Sequence, residues 1–499
     1  MPSHPNIPTR LLPHADPPRH RPADTSPPAP AYLALANSLE NQVQANVFRP
    51  GDRLPSVRSL CGDHRLSMET VLHTLRVLED RGIVEARPRS GFYIKWRRQL
   101  PEPLPPPLRL ESSPVAVSKL RHQAFSIGRS KGIVPLSNAT PAPEILPTAK
   151  LGRMISVLAR AAAAEVIAYA EPAGHQKLRT QLARRSSDWG CLMKPEDFII
   201  TNGAAEAIAL ALRTVCAPNS AVLVESPTYY GILETIETLG LRVVELPTDP
   251  QSGVSPDDLE RAVRSIPKIG ACLLVTNHSN PLGCTMSVEK KKRLVAILAR
   301  DQIPLIEDDI YGDLCQPGHR RPVTAKAFDR EGLVLLCGSI SKTLAPGLRV
   351  GWIAPGRYRG RILELKTNLT LACPTIPQMA VAEFLEHGSY DAHLRKIRAL
   401  FADQLQRFSN AIARYFPSTI RVSRPQGGFV LWVELDPQLD TTELAARALD
   451  QHQIAIAPGC IFSANGKSFR NCLRISCGYP WSARIEQAMK TLGQLIRRS

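Results

Sequence analysis

The chain has 499 residues, with 62 Lys and Arg against 45 Asp and Glu, a formal net charge of +17; that length holds two to four domains, and that charge suits acidic partners, nucleic acid first. The 11 cysteines are odd in number and scattered, with no CxxC pair and no His cluster at zinc spacing, which argues against a disulfide framework or a metal centre and for reduced thiols in the cytoplasm. No apolar run approaches the ~20 residues of a membrane span, so no membrane partner is expected.

Residues 1–30 are rich in Pro, Arg and His and lack an apolar h-region, which predicts a disordered tail and not a signal peptide. A compact periodic segment follows over 31–96. Tyr32, Leu35, Leu39 and Val43 share one face of a first helix. Pro50-Gly51-Asp52 breaks the chain, and Ser56 can cap a short second helix over 57–63. Ser67 can cap a third, with Val71, Leu72, Leu75 and Leu78 as its buried face. Arg81-Gly82 ends it. Two short strands, 83–86 and 91–94, are joined by Arg87-Pro88-Arg89-Ser90. Three helices and a basic hairpin describe a winged helix-turn-helix, whose third helix enters the major groove of double-stranded DNA. Residues 31–98 carry 11 Lys/Arg and 7 Asp/Glu, net +4, which suits a phosphate backbone and predicts binding that weakens with salt.

Over essentially its whole length this segment resembles the DNA-binding domain of GntR-type regulators. The matching residues are Pro50-Gly51-Asp52-Arg53-Leu54-Pro55-Ser56-Val57-Arg58, Ser67, Thr70-Val71, Leu78-Glu79, Gly82 and Ser90-Gly91. The resemblance implies that Arg53, Arg58 and Thr70 hold the DNA backbone beside the capping Ser67, with Arg89 and Ser90-Gly91 on the wing. Met68 and Glu69 stand where many members carry an arginine and then a polar residue. Arginine to guanine is the commonest specific base contact, so that readout is not carried over.

Residues 97–132 form a linker. Its Pro101-Glu102-Pro103-Leu104-Pro105-Pro106-Pro107 cannot be helical and favours an extended spacer. From 133 to 499 apolar strands alternate with helical stretches. Strands are predicted at 198–201, 222–225, 243–246, 272–276, 305–308, 334–337 and 350–353. That pattern describes an α/β module with a mainly parallel sheet and ligands at the strand ends. Gly427-Gly428 precedes a strand over 429–435 of a smaller C-terminal α+β subdomain.

Within this module lies Gly338-Ser339-Ile340-Ser341-Lys342-Thr343-Leu344-Ala345-Pro346-Gly347-Leu348-Arg349. A lysine between small hydroxyl residues, with an arginine seven positions on, suits a Schiff base to an aldehyde cofactor with a phosphate tail. Lys342 supplies the amine, while Ser339, Ser341 and Arg349 supply donors and charge for the phosphate. The run closely resembles the cofactor-lysine segment of fold-type I, pyridoxal-phosphate aminotransferases of class I/II. Further motifs recur in that family's order across residues 136–480.

The resemblance implies the remaining roles. An electron-sink cofactor needs a carboxylate at its pyridine nitrogen; Asp308 of Glu307-Asp308-Asp309-Ile310-Tyr311 takes that place in preference to Asp309, with Tyr311 at the ring hydroxyl. Asn280 of Asn280-Pro281-Leu282-Gly283 donates to the same ring oxygen, and Tyr229 stacks on the ring, with Tyr230 as its packing neighbour. The phosphate sits at Thr201-Asn202-Gly203-Ala204-Ala205-Glu206, a strand-to-helix turn with free amides. Ala204 and Ala205 stand where relatives often place Ser or Gln, so backbone donors remain and Ser339 and Arg349 carry more of the phosphate. Tyr169 reaches the partner subunit's phosphate, Arg474 holds a substrate carboxylate with its bidentate fork, and Asn138 lines the substrate pocket.

A GntR-type winged helix joined to an aminotransferase-like domain is the layout of the MocR group of bacterial regulators. Its resemblance implies a transcription regulator that senses an amino acid or amine through an aldimine at Lys342, as a head-to-tail homodimer on a DNA operator. The alternative is an active aminotransferase with an accessory DNA-binding domain, in which Lys342 is also the base for the 1,3-proton shift.

Overall fold

The computed structural model describes residues 30–44, 47–48, 51–87, 90–94, 100–115 and 132–498, in two compact units, Met1–Trp96 and Arg97–Ser499. The tail expected over 1–30 (Pro30 apart), Arg89 of the wing, and linker residues 97–99 and 116–131 lie outside the described residues.

The smaller unit has three helices, Ala31–Gln44, Val57–His64 and Met68–Asp80, and an antiparallel hairpin of Val84–Arg87 with Gly91–Ile94. Both expected caps form. Ser56 accepts from the Ser59 amide and Ser67 from the Thr70 amide, each at 3.2 Å, and each satisfies an otherwise orphaned N–H of a first turn. Leu35, Leu39, Leu60, Val71, Leu75, Leu78, Ile83 and Ile94 close one apolar core. Leu72, expected in that core, is half-buried, and Thr74 is fully buried instead. The fold accepts a hydroxyl there because the carbonyls of Tyr32 (3.2 Å) and Thr70 (2.9 Å) take its proton.

The larger unit is built on an eight-stranded sheet. Its spatial order is Ile199–Thr201, Gly351–Ala354, Val334–Ser339, Leu305–Asp308, Ile269–Leu274, Ala221–Ser226, Arg242–Asp249 and Gly253–Val254. The middle pairings, from Val334–Ser339 across to Arg242–Asp249, are parallel, and the flanking ones antiparallel. Alternate residues feed two cores, as a sheet covered on both faces requires. Val222 and Val224 pack with helices Ala204–Val215 and Tyr230–Thr238, while Ala221 and Leu223 pack with Pro256–Ser265 and Val288–Arg300. The strand expected over 272–276 runs Ile269–Leu274, because Thr276 has left the ladder to donate its hydroxyl to Glu307 (2.5 Å).

A second, antiparallel sheet orders Arg421–Val422, Val430–Glu434, Cys472–Ser476 and Ala457–Pro458. Helices Ser389–Tyr415 and Ala483–Arg498 cover it through Phe401, Phe408, Met489 and Leu492. Val134–Pro135 pairs with Ile454–Ala455 and ties the start of the module into this subdomain. Residues 100–115 contain no helix, as six prolines in that stretch dictate. They lie against the larger unit, with Leu100 and Val115 buried and Ser113 bridged to Val243. No described helix is long and apolar enough to cross a membrane.

Candidate cofactor site and DNA-contacting surface

Strand ends and helix starts of the large sheet surround one cavity of about 480 Å³. Ten residues singled out in the sequence line it: Ala204, Ala205, Tyr229, Asn280, Asp308, Tyr311, Ser339, Ser341, Lys342 and Arg349. They come from five separate stretches of chain, brought together because parallel strands end on one side of a sheet.

Three consecutive acids end the strand Leu305–Asp308, and the fold gives each a different task. Glu307 accepts from the Thr276 hydroxyl and from the amides of Ala325 (2.6 Å) and Lys326 (2.9 Å). Asp309 accepts from Asn277 Nδ2 (2.8 Å) and is ion-paired with Arg321, whose side chain is 9% exposed. Only Asp308 faces the cavity, and its Oδ1 is buried with no hydrogen-bond partner. Burial first, then the charge of Asp309, raises its pKa to about 7, against the pull of the Ile310 amide and Lys342. An orphaned carboxylate oxygen in such a place calls for a cationic N–H donor from a ligand.

Lys342 Nζ donates to the Ala139 carbonyl at 2.6 Å. Burial lowers its pKa to about 8, assisted by Arg474 and Arg349 and opposed by Asp308. Beside it, Asn280 Nδ2 lies 3.4 Å from the Tyr311 hydroxyl, and Arg474 Nη1 donates to Asn280 Oδ1 at 3.0 Å. Burial pushes the Tyr311 phenol well above its ordinary range, so it remains a donor. Arg474 is fully buried on Cys472–Ser476, its guanidinium 5.9 Å from the ring centre of Tyr230 and 5.1 Å from that of Phe462, and also donates to the Ser137 carbonyl. It backs the cavity through Asn280. Asn138 is half-buried next to this arginine's partner, with its Oδ1 unpartnered.

At the opposite end, helix Ala204–Val215 begins at Gly203, whose φ of +80° only glycine adopts comfortably. A Cβ on Gly203 would run into the Arg349 guanidinium, which donates to the Asn202 carbonyl at 2.9 Å. Ser339 donates to the Val350 carbonyl (2.9 Å), so Ser341 is the donor in their 2.7 Å pair. Ser339 thus shapes the loop, while Ser341 is the hydroxyl more readily released to a ligand. Tyr169 lies outside the cavity and is 91% exposed.

A carboxylate, an amine, an aromatic face, a Tyr-Asn donor pair and a helix start with a nearby arginine make up the set that pyridoxal phosphate requires, and the residues fit it. Reading the sequence missed the Ala139 and Ser137 carbonyls and Arg321. A backbone acceptor leaves no trace in residue type, and Arg321 lies in no motif.

On the smaller unit, Ser67 and Thr70 stand together at the start of the third helix, their hydroxyls 2.8 Å apart. Exposed Arg53 bridges to Tyr93 through its backbone and packs its guanidinium over Gly91 of the wing. Ser90 pairs with the Tyr93 hydroxyl at 2.6 Å. Arg58 is exposed on the second helix and Met68 is 55% exposed on the third.

Residues 31–94 match the gntR family of bacterial regulatory proteins, and residues 134–492 match the aminotransferase class I and II family. The HTH-type transcriptional regulator YjiR of Escherichia coli is 38% identical over 94% of this chain and 99% of its own length. Pyrococcus horikoshii kynurenine aminotransferase, solved with PMP, superposes with a TM-score of 0.71 at 26% identity, covering 77% of this chain and 95% of that one. LysN of Thermus thermophilus, an alpha-aminoadipate aminotransferase solved with N-(5'-phosphopyridoxyl)-L-leucine, gives 0.68 at 26%, covering 77% and 99%. The chain belongs to the aminotransferase class I and II family over its larger unit and to the gntR family over its smaller one, and hence to the HTH-type transcriptional regulators of MocR layout.

Proposed function

We propose that this DNA-binding regulator carries pyridoxal phosphate at Lys342 and responds to an amino acid or amine that enters the same cavity. The observation that carries the reading is the pairing of an unpartnered, buried Asp308 oxygen with the Lys342 amine in one cavity of a chain that also has a gntR-type unit. When bound, pyridoxal phosphate supplies an aldehyde that condenses with primary amines and a ring that withdraws electrons from them.

The chain's own residues supply the rest. Lys342, with its pKa near 8, is partly neutral at physiological pH and so able to hold an aldehyde. Asp308 would keep a ring nitrogen protonated, and Asn280 with Tyr311 would donate to the ring oxygen. The amides of Ala204 and Ala205, Ser341 and Arg349 would hold the phosphate, with Ser339 fixing Ser341 and Tyr229 covering the ring. Arg474 would take the effector's carboxylate beside Asn138. The exposure of Tyr169 supports a head-to-tail homodimer in which it completes the partner's cavity. Arg53, Arg58, Ser67, Thr70, Ser90 and Gly91 would face the DNA operator, and such a role belongs in the cytoplasm.

The test is the visible absorbance of the purified protein beside Lys342→Ala, titrated with amino acids and amines. We expect an absorbance band with borohydride-fixable cofactor in the wild type only, moved by the effector class. A protein that stays colourless with added pyridoxal phosphate would sink the reading. Sustained keto-acid release at ordinary enzyme rates would favour an aminotransferase.

A further inference from the structure

Residues 100–115 belong to the chain that runs from the DNA-binding unit into the cavity-bearing unit, and they cross the latter as a strap gripped at both ends. At its start the small sheet holds it. The Val422 amide donates to the Pro101 carbonyl (2.9 Å), Arg421 Nη1 to the Glu102 carbonyl (3.1 Å) and Arg424 Nη2 to the Leu100 carbonyl (3.1 Å). The Glu102 carboxylate pairs with Arg424 Nε (3.5 Å) and accepts from the Gln251 side chain, just beyond the large sheet's Arg242–Asp249. At its end the large sheet holds it. Ser113 and Val243 exchange both backbone hydrogen bonds at 2.9 Å, and the Arg242 guanidinium donates to Ser112 Oγ (2.8 Å) and to the Ser112 carbonyl. Between these ends, the prolines at 101, 103, 105, 106 and 107 remove amide donors and keep the strap extended and stiff.

The strap crosses the junction on which the cavity depends. The small sheet contributes Arg474, bonded to Asn280. It also contributes the turn at Pro425-Gln426: the Gln426 amide donates to the Gly283 carbonyl (3.1 Å), and Gly283 packs so closely on Pro425 that a Cβ would overlap it. Asn280 and Gly283 belong to one turn of the large subdomain. A ligand carboxylate that draws Arg474 from Asn280 therefore acts on the same small sheet whose edge, at 421–424, grips Glu102.

We propose that residues 100–115 transmit ligand capture to the DNA-binding unit: the small sheet shifts against the large one, Arg421 and Arg424 carry Glu102 with it, and the tether point of the DNA-binding unit moves. The proposal rests on the amine-sensing reading above. It requires the two arrangements of the small sheet to differ in ligand affinity, since only such a difference can be transmitted.

The experiment uses the full chain loaded with pyridoxal phosphate, each common amino acid in turn, and duplexes that the wild type selects from a random-sequence pool. The amino acid that moves the absorbance should change wild-type duplex affinity by about 5-fold or more. In Arg421→Ala/Arg424→Ala the absorbance response and the ligand-free duplex affinity should persist, while the ligand-induced change falls below about 2-fold. Arg242→Ala, which loosens only the far end at Ser112, should keep the full ligand-induced change. Independently of any variant's folding, hydrogen exchange on the wild type should show the Gln426 amide, bonded across the junction to Gly283, responding to that amino acid and the Ser113 amide not. An Arg421→Ala/Arg424→Ala protein that keeps the full change, or a Gln426 amide that ignores the ligand while duplex affinity responds, overturns the strap. An absorbance response with no change in wild-type duplex affinity also overturns it but leaves the cofactor reading standing; no absorbance response to any amino acid overturns the strap together with the amino-acid arm of the sensing reading.

Discussion

Gly351 begins the strand Gly351–Ala354 opposite Thr201 and lies against the turn assigned to the phosphate. A Cβ placed on it would sit 2.5 Å from the Gly203 carbonyl carbon, 2.7 Å from Gly203 Cα and 2.8 Å from the Ala204 nitrogen. All three are backbone atoms, so no rotamer change relieves the overlap. Carbon contacts are comfortable only from ~3.5 Å, so Gly351→Ala must displace the Gly203-Ala204 peptide by roughly 1 Å. Overpacking of this kind costs about 1–3 kcal/mol, and a lost hydrogen bond to a charged group about 1.5–3 kcal/mol. The Ala204 amide is among the first free donors of its helix, so the displacement falls on the phosphate contact itself. Affinity for pyridoxal phosphate should drop roughly 10- to 100-fold, at about 1.4 kcal/mol per tenfold. The assay is an equilibrium titration in the Lys342→Ala background, where only non-covalent binding is read. Gly347→Ala is the control: nothing lies within 4 Å of its Cβ, and affinity should stay within about twofold. A Gly351→Ala protein that binds as tightly as its parent would refute the assignment of this turn as the phosphate cradle.

Two further outcomes are expected. Because the neutral amine is the nucleophile and burial has lowered the Lys342 pKa to about 8, the rate of pyridoxal phosphate capture should rise with pH below that value and level off above it. Stopped-flow absorbance reads this, and a break at the ordinary lysine value of 10.5 would contradict the buried, cation-flanked setting. Ser67→Ala removes the 3.2 Å cap of the third helix and should destabilise it by about 1 kcal/mol, seen as roughly fivefold faster exchange of the Val71 and Leu75 amides wherever local opening controls it. Ser67→Asp should keep the cap yet weaken duplex binding by adding charge near phosphate; equal binding by Ser67→Asp would remove Ser67 from the DNA-facing surface.

The parts of this protein that the chain dictates locally were legible without the structure. Caps at Ser56 and Ser67, the strand Leu305–Asp308, and the turns at Gly203 and Asn280 depend on residues within about four positions of one another, where helix periodicity, capping and turn chemistry operate. The gathering of ten predicted residues around one cavity follows from motif order and the rule that parallel strands share an open end.

What only the tertiary structure decided involves partners far along the chain. Among Glu307, Asp308 and Asp309, residue type offers no distinction. The choice falls to Thr276, Arg321 and Asn277, which occupy the outer two acids and leave Asp308 to the cavity. Thr74 replaces Leu72 in the small core because the Tyr32 carbonyl, 42 residues away, accepts its proton. The prolines of 101–107 announce an extended segment but not the surface it follows. That surface is set by Arg242 and Arg421, 130 and 319 residues from their strap partners. Local sequence restricts each residue's own conformation, whereas a contact across hundreds of residues exists only once the sheets have closed those loops.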